Sequence, residues 1–153
     1  MPCHSAIVDK LISVRPDELV ENVLALLQKN KISAVPVIDE DGLLIGVFSM
    51  SVLLRNLIPV SVAMTDGVQM DITVAAAPGV AKRLQKVKPL PVSELMDRKF
   101  ASVGPDSPIW EGVSLLTNNG SPLPVIDDAG KCKGVITYDS LVKTLEDIQN
   151  TGE

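Results

Sequence analysis

Apolar residues along this chain follow two rhythms in succession, and the whole succession is written twice. Leu19, Val20, Val23, Leu24 and Leu27 fall at helical spacing, as do Ile109, Val113 and Leu116, so each group predicts an amphipathic helix. Ser107 and Pro108 precede the second group as an expected N-cap and first-turn proline. The rhythm then shifts to short β-branched runs, "AVPVID" and "PLPVID", each followed by an acidic turn ending in Gly42 or Gly130 and by a second run, "LLIGVF" or "CKGVI". That pattern predicts a β-hairpin. Helical spacing returns with Leu53, Leu54 and Leu57 and with Leu141, Val142 and Leu145. A brief "LISV" or "FASV" run ahead of each unit predicts one more strand, so the expected order per unit is β-α-β-β-α.

Shifting the chain by 88 places Pro36 on Pro124 and Leu57 on Leu145, with nine of 22 pairs identical. A shift of 89 aligns "VRPDELVENVLALL" with "VGPDSPIWEGVSLL", so the halves differ by one residue in the loop before the hairpin. This register sets the expected organisation: one repeat over residues 5–58, a linker or insertion over 59–91 with a short helix "VAKRLQKV", and a second repeat over 92–150. A unit of roughly 60 residues buries too little surface to stand securely alone. An α/β (α+β) fold is therefore expected, with two β-α-β-β-α repeats packed sheet to sheet about a pseudo-twofold axis. The proline inside "VPVI" and "LPVI" removes a ladder donor, which confines that strand to an edge or leaves a neighbouring carbonyl free. "PVSVAM" at Pro59 also weakly echoes "PVSELM" at Pro91.

The pieces "ISAVPVIDEDGLLIGVFS" and "SPLPVIDDAGKCKGVIT", each behind a "PD" and a helix, resemble a tandem pair of CBS domains, a Bateman module. The resemblance covers about two-thirds of the chain. It implies a regulatory, ligand-sensing module, commonly dimeric, whose clefts bind adenosine-containing ligands such as AMP, ADP, ATP or S-adenosylmethionine, with no cofactor required. It also implies that a hydroxyl and an aspartate in T-x-x-D clamp the ribose and phosphate. This chain departs from that pattern: the first copy reads Ser49-Met50-Ser51-Val52, and the second Thr137-Tyr138-Asp139-Ser140. The expected ligand residues are Thr137, Asp139, Ser140, Ser49, Ile32, Val35, Pro36, Ser121, Leu123 and Pro124. The cleft containing Thr137 is expected to be preferred, because Val52 would strand a buried ribose hydroxyl. S/T-x-x-D/E is equally a capping box, so Ser49 and Thr137 also read as plain helix N-caps. A module of this kind without ligand, serving as a dimerisation or adaptor scaffold, is the alternative.

Composition narrows the chemistry. A net charge of -5, a pI near 4.9 and four aromatic residues oppose nucleic-acid binding. No apolar run is long enough to span a bilayer, and with two isolated cysteines the expectation is a cytoplasmic protein with reduced thiols. The only histidine, His4, lies beside Cys3 at an end expected to be disordered, which leaves no nucleophile relay and no enzyme reading. Cys132 alternates with Ile136 and is expected in the core. "DEDG" lacks the glycine and glutamate spacing of a calcium loop, so a turn is expected, with Asp127 and Asp128 the remaining cation candidates. No metal site is expected. Lys82, Arg83, Lys86 and Lys88 form a basic face, either solvated or a dock for an acidic partner or a phosphate. Leu53, Leu57, Leu141 and Leu145 are expected to form the face of a homodimer, with an effector protein as the other partner.

Overall fold

The computed structural model describes residues 2–8, 10–57 and 77–151. The first repeat contains α1 (Val20–Asn30), β1 (Ala34–Ile38), β2 (Leu44–Ser49) and α2 (Met50–Arg55). A connecting helix α3 (Ala77–Val87) follows, and the second repeat contains α4 (Ile109–Asn119), β3 (Leu123–Ile126), β4 (Cys132–Ile136) and α5 (Tyr138–Thr151). The pairs β1–β2 and β3–β4 are antiparallel and carry the same register, Pro36 opposite Val47 and Pro124 opposite Val135. Each breaks register at the same place, between Val37 and Ile38 and between Val125 and Ile126. The Pro59 echo and the first part of the expected insertion lie outside the described residues.

The expected third strand is reduced to a single parallel bridge in each half, Val14 to Val37 and Val103 to Val125. Proline is the reason. Val14 donates to the Pro36 carbonyl at 3.1 Å and accepts from Ile38 at 2.9 Å. In a parallel ladder the next acceptor lies two residues earlier, at Ile12, and its donor would be the amide that Pro36 lacks. Val103, Pro124 and Ile126 repeat the arrangement at 3.0 and 2.9 Å, and there the ladder stops before Ala101.

Each hairpin turn is built on an aspartate. The Asp39 carboxylate accepts from the amides of Asp41 and Leu43, and Asp127 from those of Ala129 and Lys131. Gly42 and Gly130 close the turns at φ 86 and 85. Those amide bonds, first that from Lys131, hold the Asp127 carboxyl below its ordinary range, with Lys133 3.5 Å away adding to the effect. Asp127 is thus a turn residue, and no cluster of three or more metal-ligating side chains occurs among the described residues. The hairpins join tip to tip through a symmetric pair of bonds, Leu44 to the Gly130 carbonyl at 3.1 Å and Cys132 to the Gly42 carbonyl at 3.2 Å. The 88-residue shift maps one bond onto the other, which is the expected pseudo-twofold relation.

The segment leading into each repeat packs on the other repeat. Residues 2–8 form a 3-10 turn (Cys3–Ala6) beside α4 and α5, and the matching turn Val92–Glu94 lies against α1 and β2. Cys3 donates to the Ser107 carbonyl and Val8 to Val135; Val92 donates to Glu18, and Asp97 exchanges two bonds of 2.9 Å with Val47. Two cores result. Val92, Leu95 and Met96 join Val20, Leu27, Val35 and Phe48 in the first, whereas Cys3 and Ala6 join Leu116, Leu123 and Ile136 in the second. Cys3 is therefore fully buried and not disordered; burial pushes its thiol pKa up. Cys132 is only half-buried, because it sits at the hairpin junction.

Two further expectations change. Pro108 itself caps α4 without a side-chain bond, and the Ser107 hydroxyl accepts from Gly104 instead. Leu53, Leu57 and Leu141 are buried in the cores and cannot form a dimer face, which leaves Leu145 at 39% exposure. The crossing also explains the glycine of each "GV". A Cβ on Gly46 would lie 2.6 Å from Met96 Sδ and 3.0 Å from the Asp97 carbonyl, and one on Gly134, at φ 150, would strike Ile7. Gly46→Ala and Gly134→Ala are each expected to destabilise the fold by about 1–3 kcal/mol through overpacking, read as a lower urea midpoint. An unchanged midpoint in both would contradict the tight crossing.

Candidate functional site

Two clefts of about 400 and 410 Å³ lie between the repeats, a size suited to a small ligand. They are related by the repeat, their lead-in residues by the 89-residue shift and their hairpin residues by the 88-residue shift. Cleft A takes Lys10, Ile12, Ile32 and Pro36 from the first half and Val135, Thr137 and Tyr138 from the second. Cleft B takes Lys99, Ala101, Leu123 and Pro124 from the second half and Val47, Ser49 and Ser51 from the first. Ser33, Ala34, Ser121 and Pro122 line both clefts, so the two share one wall. The Ser121–Pro122 bond in that wall is cis.

The hydroxyls are held by the helices they start. Ser49 Oγ accepts from the Val52 amide at 3.0 Å, an N-cap of α2. Thr137 Oγ1 accepts from the Ser140 amide at 3.1 Å while Ser140 Oγ accepts from the Thr137 amide at 2.9 Å, a reciprocal capping box at the start of α5. Ser140 Oγ also donates to the Thr137 carbonyl at 3.1 Å, which uses its hydrogen. Thr137 and Ser49 retain a donor hydrogen at the cleft walls. Val52, which stands where the pattern has aspartate, is buried in the first core.

The structure thus gathers Ile32, Pro36, Ser121 and Thr137 in cleft A, and Ser49, Ser121, Leu123 and Pro124 in cleft B. It does not bring Asp139 and Ser140 to either: with Thr137, Ser5, Lys143 and Asp147 they line a separate groove along α5. Val35 is fully buried in the first core. The free carbonyls are not those of the prolines themselves, since Pro36 and Pro124 accept from Val14 and Val103, and Val47 and Val135 accept from Asp97 and Val8. The carbonyls left free on the neighbouring segment are those of Ile12 and Ala101, which accept no backbone bond from any described residue, and both residues line the clefts.

Lys10 and Lys99 were not anticipated. They are equivalent under the 89-residue shift, and the signal for them is the pair "DKLISV" and "RKFASV", which keeps Lys, Ser and Val in place. Among the described residues cleft A also carries Lys31 and no carboxylate, while cleft B carries Asp97, paired with Arg55 at 2.8 Å. The basic face of α3 lies elsewhere, where Arg83 donates to the Asn56 carbonyl at 2.8 Å.

The fold and the paired clefts define a tandem-repeat module with ligand-sized spaces at the junction. The CBS domain family matches residues 5–59 and 92–147, and the chain belongs to that family. It is 29% identical over 148 residues to the uncharacterized protein MJ1426 of Methanocaldococcus jannaschii, covering 91% of this chain and 88% of that one. It is 31% identical over 144 residues to the chloroplastic CBS domain-containing protein CBSX1 of Arabidopsis thaliana, covering 92% of this chain and 61% of that protein. The crystal structure of the CBS-pair protein CBSX2 from Arabidopsis thaliana matches with a TM-score of 0.75 at 24% identity, over 97% of this chain and 96% of that one. A second CBSX2 structure, in complex with AMP, matches with a TM-score of 0.70. No described helix is long and apolar enough to cross a membrane.

The capping box yields a quantitative expectation. Thr137→Val and Ser140→Ala should each cost about 1 kcal/mol, and the double variant should lose less than the sum because one motif is broken in both. A double-mutant cycle of urea unfolding measures this, and strict additivity would show that the hydroxyls act separately.

Proposed function

We propose that the chain is a regulatory module that binds an adenosine-containing ligand in cleft A and controls a partner protein. The observation that carries this reading is the charge of the two clefts: among the described residues A presents Lys10 and Lys31 with no acid, whereas B presents Asp97, paired with Arg55, beside Lys99. An anionic nucleotide is drawn to the first. Ile12, Ile32 and Pro36 supply an apolar slot for a purine, the Ile12 carbonyl an acceptor for its amino group, and Thr137 a hydroxyl for the sugar. The AMP complex of CBSX2, a protein of the same fold, supports adenine nucleotide as the class.

Isothermal titration with AMP, ADP, ATP and S-adenosylmethionine tests the assignment. Lys10→Glu is expected to weaken nucleotide binding at least about tenfold, the worth of a charge-assisted bond, whereas Lys99→Glu changes it less than about twofold. Equal losses would refute the choice of cleft. Absence of heat with every ligand would favour the scaffold reading, which the burial of Val52 and the engagement of the Ser140 hydroxyl also favour.

The module is further proposed to form a homodimer through Leu54 and Val142, which are 60% and 53% exposed at equivalent places on α2 and α5. Light scattering should give twice 16.3 kDa for the wild type and a monomer for Leu54→Glu/Val142→Glu. A wild-type monomer would overturn the proposal.

A further inference from the structure

The one-residue difference between the halves falls where α1 and α4 meet their hairpins, and the two helix ends are closed differently. The Leu27 carbonyl in α1 accepts from two backbone amides, those of Lys31 and Ile32, the second at 3.1 Å. Lys31 turns the chain there at φ 55. The equivalent acceptor in α4 is the Leu116 carbonyl, and the connection that follows it is one residue shorter. Among the described residues one backbone amide from that connection reaches it, that of Gly120 at 2.9 Å. A carbonyl oxygen accepts two hydrogen bonds, and here a side chain makes the second: the Tyr138 hydroxyl donates to Leu116 at 3.4 Å. The counterpart of Tyr138 in the first half is Met50, which has no hydroxyl and packs against the first core.

Tyr138 has a second place in the molecule. It lines cleft A with Ile32, Pro36 and Thr137, and it is 54% exposed, so its ring offers a face to a molecule in that cleft. The helix end that its hydroxyl holds belongs to the other cleft. Asn119 and Gly120 line cleft B, and Ser121 and Pro122 line both. A Cβ on Gly120 would lie 3.8 Å from the phenol oxygen, so the hydroxyl sits against the turn itself. At 3.4 Å the bond is longer than an ordinary hydroxyl–carbonyl hydrogen bond, and little movement of the ring ends it. Stacking of a base on an aromatic ring outweighs one long neutral hydrogen bond, so the ring follows the base.

We propose that Tyr138 transmits occupancy of cleft A to the end of α4. A ligand whose base packs on the ring draws the hydroxyl away from the Leu116 carbonyl, and the turn over residues 119–122 loses its second tie at the wall of cleft B. Tyr138 is thus a positioning residue for the neighbouring cleft, and it replaces a backbone donor that the shorter connection cannot supply. The proposal rests on the reading that cleft A holds an adenosine-containing ligand.

Two labels isolate the two ends of this contact. Tyr138 is the only tyrosine, and Asn119–Gly120 is the only asparagine–glycine pair. Protein carbon-labelled in the tyrosine ring and the asparagine carbonyl, and nitrogen-labelled at glycine, therefore gives an NMR signal from the one ring and a carbonyl-filtered signal from the one amide. The probe is AMP, added to the full chain and followed in parallel by isothermal titration. Saturation with AMP is expected to move both signals together. Tyr138→Phe, compared at saturation so that any change of affinity drops out, should lose most of the Gly120 shift. Heat of binding with an unmoved Gly120 signal, or a Gly120 shift undiminished in Tyr138→Phe, would overturn the proposal and leave the ligand reading standing. A Gly120 shift that Lys99→Glu abolishes and Lys10→Glu spares would overturn it too, because AMP would then lie in cleft B against the turn. No heat and no shift would overturn the ligand reading together with this one.

Discussion

Val47 and Asp97 exchange two backbone hydrogen bonds across the boundary between the halves, and Val8 reaches Val135 at the symmetric place. Most of the architecture depends on that exchange. It brings the lead-in of each repeat into the other's core, so that neither core is complete without residues from both halves. It demands glycine at positions 46 and 134, where the crossing backbone or side chains leave no room for a Cβ. It also satisfies the outer edges of β2 and β4, which would otherwise present unpaired groups to solvent. The marginal size of one repeat is offset by lending each core a turn of 3-10 helix from elsewhere in the chain.

The prolines act on the opposite edge of each hairpin. By withholding one donor they stop the parallel ladder after a single bridge, and the backbone before Val14 and Val103 is free to line a cleft instead of extending a sheet. The hydroxyls at the starts of α2 and α5 show a similar economy: each closes a helix and still faces a cleft. The capping role and the proposed binding role therefore fall on the same atoms, which is why the sequence leaves both readings of Ser49 and Thr137 equally open.

The repeat, both hairpins and the helices of each half were legible in the sequence, because apolar period and the Asp-Gly turn encode them within a few residues. The third strand was misread because "LISV" and "FASV" have strand composition, while the limit on their pairing lies in Pro36 and Pro124, more than 20 residues away along the chain. The exchange of lead-ins was invisible for a related reason. "PCHSAIVDKLISV" and "PVSELMDRKFASV" share only Pro, Lys, Ser and Val, and what relates them is backbone bonding that any side chains can make. The burial of Cys3 follows from the same hidden contact. Of the candidate site, the cleft walls were legible through the resemblance of the motifs, but Asp139 was not separable from Thr137 by spacing, since only the turn of α5 decides which groove each faces.

The wall shared by the two clefts has a thermodynamic consequence. Ser33, Ala34, Ser121 and Pro122 touch both spaces, so any molecule that shifts this partition on entering one cleft alters the free energy of entering the other. The effect is reciprocal by linkage, whichever side is filled first. For two ligands that each contact this common partition, the factor by which the first changes the affinity of the second equals the factor by which the second changes that of the first.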